Sequence, residues 1–196
     1  SLLELTDTNH PILKEMAEKA PGTFQHSLQV SNLAEQAIME IGGNVLLVRA
    51  GAMYHDIGKM DSPLFFIENQ MAGINPHDEL SADESAKVII SHVIKGIEKA
   101  KKYNLPEQII DFIRTHHGDS MVQYFYRQYV TKFPEKMDHK DKFSYPGPKP
   151  FSKETYANFF KSEDMISDSL SILFTTNNVF SLIYLSKKTL FSLLLA

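Results

Sequence analysis

The apolar residues of this chain follow helical spacing almost throughout, and this constrains its fold more than any other feature. Over 23–41, Leu28, Val30, Leu33, Ala34, Ala37, Ile38 and Ile41 fall into a stripe of three- to four-residue steps. No segment shows a convincing period-two alternation of apolar and polar residues, as a half-buried strand would need. Helix punctuation divides the chain into pieces. Asn9 and Pro11 open a helix over 9–20, and Pro21-Gly22 ends it. Gly42-Gly43 closes the helix over 23–41. Asn44 caps a third, expected over 45–57 and stopped at Gly58. Ser81 with Glu84 forms a capping-box pattern for a helix reaching 103. Further helices are predicted over 106–117 and 121–131. Residues 60–80, with Pro63, Gly73 and Pro76, read as a long loop with a short turn at 64–68. A loop of that length in a compact domain is usually functional. Residues 133–150 read as a polar, proline-rich connection. The expected class is all-α, a helical bundle.

A length of 196 residues allows one domain, or one domain with an appendage. The chain has no cysteine, which excludes a disulfide scaffold, a cysteine zinc site, an iron–sulfur cluster and a thiol nucleophile. Its net charge of −4, from 20 basic and 24 acidic residues, argues against a broad face for a nucleic-acid polymer. There is no basic-then-apolar leader. No uncharged apolar run reaches the roughly 20 residues that span a bilayer. Residues 179–196 come nearest, and Lys187 and Lys188 interrupt them. The chain opens on Ser1 and not on methionine, so it is expected to be a piece of a longer protein. From Ser169 onward Lys187 and Lys188 are the only charged residues. This change sets an expected boundary between a domain over 1–168 and an apolar, serine-rich tail over 169–196, itself expected to be helical.

The chemistry lies in the histidines. His26 sits on one predicted helix and the pair His55-Asp56 at the end of the next. His92 lies within the following helix and the pair His116-His117 at the end of a fourth. Five imidazoles and one carboxylate thus fall on four consecutive helices. These donors suit first-row divalent metals. A carboxylate can bridge two ions about 3.5–4 Å apart, as in two-metal phosphoester hydrolysis. A bundle can gather such donors in its core. A bland reading stands beside each. A helical histidine is more often a packing or surface residue, and neighbouring helical residues point about 100° apart. His116-His117 could simply complement a helix dipole. His10 and His139 read as background. His77 reads as a loop-packing residue, a ligand or a substrate contact.

The series His26, Tyr54-His55-Asp56-Ile57-Gly58-Lys59, His92 and His116-His117 resembles the HD-domain metal-dependent phosphohydrolases in their HDIG form. Longer runs narrow the resemblance: residues 7–13, 20–27, 66–70, 75–78, 90–93, 116–118 and 145–150. Together they are similar to the cytosolic domain of the seven-transmembrane HD receptor family, over about 2–155. The Gly-Tyr-Pro signature of the related cyclic di-GMP enzymes is absent. The resemblance implies an HD-domain helical bundle with a dinuclear metal site in its core. It implies a phosphodiesterase that opens a cyclic dinucleotide, cyclic di-AMP, to linear pApA. His26, His55 and Asp56 would bind the first metal, and His92, His116 and His117 the second, with Asp56 bridging. Lys59 would contact the phosphate or aid catalysis; its other reading is a solvated lysine past a helix end. The metals would be two divalent ions, iron or manganese, with zinc left open. The implied partners are the cyclic dinucleotide and an upstream membrane-spanning region of the same protein, which would place this domain on the cytoplasmic side of a bacterial membrane.

The family pattern breaks near the end. An aspartate that completes the first metal site in the family falls, by register, on Ser162. Glu163, Asp164 and Asp168 are the nearby carboxylates, with Asp164 the best stand-in. Tyr156, Phe159, Phe160, Met165 and Ile166 keep a helical stripe, predicting a helix over 152–173. Two other functions stay open: an HD phosphohydrolase acting on another nucleotide, and a catalytically weak nucleotide-sensing domain.

Overall fold

The computed structural model describes residues 1–159, and among these the fold is all-α. The helices are α1 Leu2–Leu5, α2 Pro11–Lys19, α3 Pro21–Ile41, α4 Val45–Tyr54, α5 Ala82–Lys102, α6 Glu107–Thr115, α7 Gln123–Lys132 and α8 Lys153–Phe159. Ser162, Glu163, Asp164, Asp168, the boundary expected at 168 and the tail lie outside the described residues, as does the predicted helix beyond α8.

Local signals set most helix starts. Asn44 accepts a hydrogen bond from the Leu47 amide at 3.0 Å. Ser81 and Glu84 form the reciprocal capping box of α5. Pro11 and Pro21 occupy first-turn positions of α2 and α3. Gly42 ends α3 with φ +71°, a conformation that favours glycine. Asn9 does not cap α2; its amide and side chain bond Asp7 instead, and His10 precedes the helix. The helix expected to begin at Thr23 starts at Pro21, because the break is confined to Ala20.

The core is apolar and formed by α2 to α6, with α8 closing one side. Ile12, Leu13, Met16, Met53, Tyr54, Ile57, Ile109 and Ile113 pack in one cluster. Val30, Ala34, Ile38, Val48, Ala52, Phe112 and Ala157 pack in a second. Ala50, Gly51 and Ala52 make α4 thin where it meets α6: a Cβ at Gly51 would overlap the Phe112 ring. This close approach brings the C-terminal ends of α4 and α6 together.

The loop over 60–80 is not irregular. It runs through 3₁₀ turns at Ile57–Asp61, Pro63–Phe65, Ile67–Asn69 and Pro76–Glu79. The connection after α7 also turns inward. An isolated antiparallel bridge pairs Met121 with Ser144, supported by Val122 N–H to Phe143 O at 2.8 Å and Tyr145 N–H to Ser120 O at 2.8 Å. Phe143 and Tyr145 are thereby buried. No helix of the described residues is long and apolar enough to cross a membrane.

Candidate metal centre

The α-helical part of α4 ends at Tyr54, three residues short of the expected 57, and α6 ends at Thr115. That early stop answers the geometric objection to adjacent ligands. On a continuing helix His55 and Asp56 would diverge by about 100°. Here Asp56 leaves helical geometry at φ −109°, ψ 14°, and a 3₁₀ turn follows. His116 is the cap residue of α6 and keeps near-helical angles, φ −65° and ψ −18°, and Gly118 follows at φ +55°. The first pair can therefore aim two consecutive side chains at one point, and in the second both Nε2 atoms come within 3.1–3.2 Å of His92 Nε2.

His26, His55 and Asp56 offer ligand atoms within 4.8 Å of one another, and so do Asp56, His92, His116 and His117. Asp56 belongs to both groups. Its Oδ2 lies 3.2 Å from His55 Nε2, and its Oδ1 lies 3.3 Å from His92 Nε2 and 3.4 Å from His116 Nε2. One oxygen thus faces each group. His55, Asp56, His92, His116 and His117 are 1–8% exposed, and His26 is half-buried.

Backbone carbonyls fix the imidazole tautomers. His55 Nδ1 donates to Ala52 O at 2.7 Å, His92 Nδ1 to Ile89 O at 2.6 Å, and His116 Nδ1 to Ile113 O at 2.8 Å. Each carbonyl is three residues earlier and can only accept, so each Nδ1 carries the proton and each Nε2 presents a lone pair. His92 Nε2 nevertheless lies 3.1 Å from His116 Nε2 and 3.2 Å from His117 Nε2. Burial, opposed in part by Asp56, pushes the His116 ring down to about 4. Burial and the neighbouring His116 and His92 push His117 well below its ordinary value. With the Nδ1 protons of His92 and His116 both committed to carbonyls, the neutral forms of these two rings point Nε2 lone pairs at each other. A cation resolves that conflict, so this donor set fits a metal.

Burial pushes the Asp56 carboxyl up, but the groups packed around it, the Lys59 ammonium among them, outweigh burial and hold it well below the carboxylate range. Burial lowers His26 further than Asp56 raises it. The site is thus an ionised carboxylate among imidazoles, of which His26, His116 and His117 are held toward the neutral form.

Lys59 is not a solvated lysine. Its side chain is 13% exposed, with Nζ 2.7 Å from Asp56 Oδ2 and 3.0 Å from Glu68 Oε1. It also lies over the Phe66 ring, 4.9 Å from the centroid. Burial lowers its basicity, yet Asp56 and Glu68 together raise it.

Sequence reasoning gave no role to the surrounding shell. Tyr145 stacks on His117 with centroids 4.0 Å apart, and Phe66 meets His92 edge-on at 5.5 Å. Thr23 and Asn69 tie the turn at Ile67–Asn69 to the first turn of α3. These residues lie in runs that resemble the family, which marks them without saying what they touch. His77 is not in either donor group: its Nε2 bonds Phe65 O at 2.9 Å and its ring packs on Phe125. His10 packs edge-on against Tyr54, and His139 meets the Tyr129 hydroxyl at 3.2 Å.

A helical bundle that gathers an HD pair with four further histidines defines a class, and the match to known families agrees. The chain belongs to the HD domain family, which it matches over residues 23–161. Within the family it is similar to "Cyclic-di-AMP phosphodiesterase PgpH" of Bacillus subtilis (strain 168), 46% identical over 155 residues, covering 78% of this chain and 21% of that protein. The protein of the same name from Listeria monocytogenes is also 46% identical, over 153 residues, with the same two shares. The chain therefore spans about a fifth of the length of these curated relatives. Its fold matches the crystal structure of the L. monocytogenes phosphodiesterase PgpH HD domain in complex with cyclic-di-AMP. The TM-score is 0.78 at 36% identity, covering 96% of this chain and 98% of that one.

Proposed function

We propose that this domain is a metal-dependent phosphodiesterase that opens cyclic di-AMP to pApA. The observation that carries the reading is the convergence of tautomer-fixed Nε2 lone pairs around the two oxygens of Asp56. The names of the similar proteins, and the ligand in the matched crystal structure, support the choice of substrate.

In this reading His26, His55 and Asp56 would hold one divalent ion and His92, His116 and His117 the other, with Asp56 shared between them. Nitrogen and oxygen donors without sulfur suit iron or manganese, with zinc as the further option. When bound, such ions supply Lewis acidity toward a phosphoryl oxygen and acidify water near neutral pH. The protein's own part is to hold the donors. Backbone carbonyls lock the rings, and Tyr145 and Phe66 wall His117 and His92. Lys59 keeps a positive charge beside Asp56, where it can donate to a phosphoryl oxygen as negative charge builds. In the net reaction water adds to phosphorus, the bond to the ribose oxygen breaks, and that oxygen gains a proton. No side-chain nucleophile is required.

The resemblance to the seven-transmembrane HD receptors supports membrane spans upstream and a cytoplasmic placement of this domain. A second reading is nucleotide binding without turnover. It is favoured by Ser162, the position on which the resemblance places the family's last aspartate ligand.

Metal analysis of the purified chain, followed by turnover on cyclic dinucleotides, linear dinucleotides and mononucleotides, tests both. The expected result is about two divalent ions per chain and chelator-sensitive release of pApA from cyclic di-AMP. Tight cyclic di-AMP binding by the metal-loaded chain with no product would overturn the first reading and favour the second.

A further inference from the structure

Lys59 and a metal ion compete for the same oxygen. Asp56 Oδ2 faces His55 Nε2 at 3.2 Å and is held by Lys59 Nζ at 2.7 Å. An ammonium and a divalent cation on one carboxylate oxygen lie within about 4 Å of each other and repel strongly where water is excluded. The Lys59 ammonium has a second acceptor: Glu68 Oε1 lies 3.0 Å from Nζ, on the 3₁₀ turn at Ile67–Asn69. Its flexible four-carbon stem allows a small swing between the two.

Glu68 itself cannot easily follow that swing. Its Oε1 also accepts from Thr23 Oγ1 at 3.0 Å. Asn69 Nδ2 donates to Thr23 Oγ1 at 2.7 Å, and Asn69 Oδ1 accepts from the Thr23 amide at 3.2 Å. Gly22 packs against the Glu68 backbone so closely that a Cβ there would overlap its carbonyl. The acceptor is therefore fixed to the first turn of α3, three residues before His26.

We propose that Glu68 is a positioning residue that takes the Lys59 ammonium when a divalent cation enters at Asp56, so that the pair sets the affinity of the His26–His55–Asp56 subsite. The inference rests on the reading that this cluster holds divalent ions. Without Glu68 the ammonium has only Asp56 and stays there as an internal competitor. With Glu68 present, metal entry costs the lysine one of its two ion pairs and not both: it keeps Glu68 and remains beside the site.

The test is a double-mutant cycle on Mn²⁺ binding, using the full chain stripped of metal and titrated calorimetrically. Glu68→Gln should weaken the Asp56-side site by about tenfold. Lys59→Met should tighten it. In the Lys59→Met background, Glu68→Gln should cost less than about threefold, because there is no ammonium left to relocate. Glu68→Asp keeps an acceptor and should stay within about threefold of wild type, with an unchanged helical melt as the folding control. An equal loss from Glu68→Gln in both backgrounds would overturn the proposal, since Glu68 would then act through its own charge or by fixing the loop. No loss in either background would overturn it as well. Absence of stoichiometric Mn²⁺ in the wild-type chain is a different failure, that of the metal reading itself.

Discussion

Gly58 should tolerate no side chain, and its replacement should damage the metal centre from behind. The 3₁₀ turn Ile57–Asp61 lies against α5, and Gly58 faces backbone atoms there. A Cβ at Gly58 would lie 2.6 Å from Gly96 N and 2.8 Å from His92 C, and closer still to His92 O. These are backbone atoms of a 21-residue helix, so no rotamer change relieves the clash. Reaching a 3.4 Å contact with Gly96 N alone needs a shift of about 0.8 Å, and His92 O demands more. The displaced parts are the turn after Asp56 and the stretch of α5 that carries His92, which now lie 3.3 Å apart at Oδ1 and Nε2. Metal–ligand distances tolerate only about 0.2 Å. Gly58→Ala should therefore lose most metal bound between Asp56 and His92. Overpacking of this kind costs about 1–3 kcal/mol, or roughly 2–12 °C in melting temperature for a chain of this size. Metal content after chelator exchange and reloading, with thermal melts of the metal-free protein, measures both effects. A variant with wild-type metal stoichiometry and a melt within about 1 °C would refute the reasoning.

Asp56→Ala removes the carboxylate common to both donor groups, so bound metal should fall sharply and phosphodiesterase turnover by about a thousandfold or more, as read by metal analysis and product release. Acid should destabilise the metal-free protein. His116 is held at about 4 in the fold against about 6.5 unfolded, so the unfolded chain binds the extra proton first and stability falls as pH drops through that window. At pH 5 this one ring should cost about 2 kcal/mol relative to pH 7.5, and a flat melt across that range would contradict it. His77→Ala should lower stability by about 1–2 kcal/mol through its lost packing on Phe125 and lost bond to Phe65 O, while metal stoichiometry stays unchanged.

The order of elements and the donor set were legible because both depend on local rules. Helical spacing, the Asn44 cap and the Ser81–Glu84 box need only neighbours within four residues. The histidine and aspartate types on consecutive helices pointed to divalent metal, and the resemblance assigned them to two ions. What the sequence left open was how adjacent pairs could serve one point. The tertiary structure decided that: α4 and α6 stop just before His55 and His116, and Gly51 lets the two ends meet beneath Phe112. It also decided the state of Lys59. Whether that lysine is solvated or buried depends on Glu68, nine residues away, and Glu68 is held in turn by Thr23, 45 residues earlier. Tyr145 reaches His117 only because residues 120–122 pair with 143–145 across a loop. Chemistry that resides in residue types can be read along the chain. Chemistry that depends on which carboxylate or ring stands beside a given atom is set by long-range packing, which no local pattern encodes.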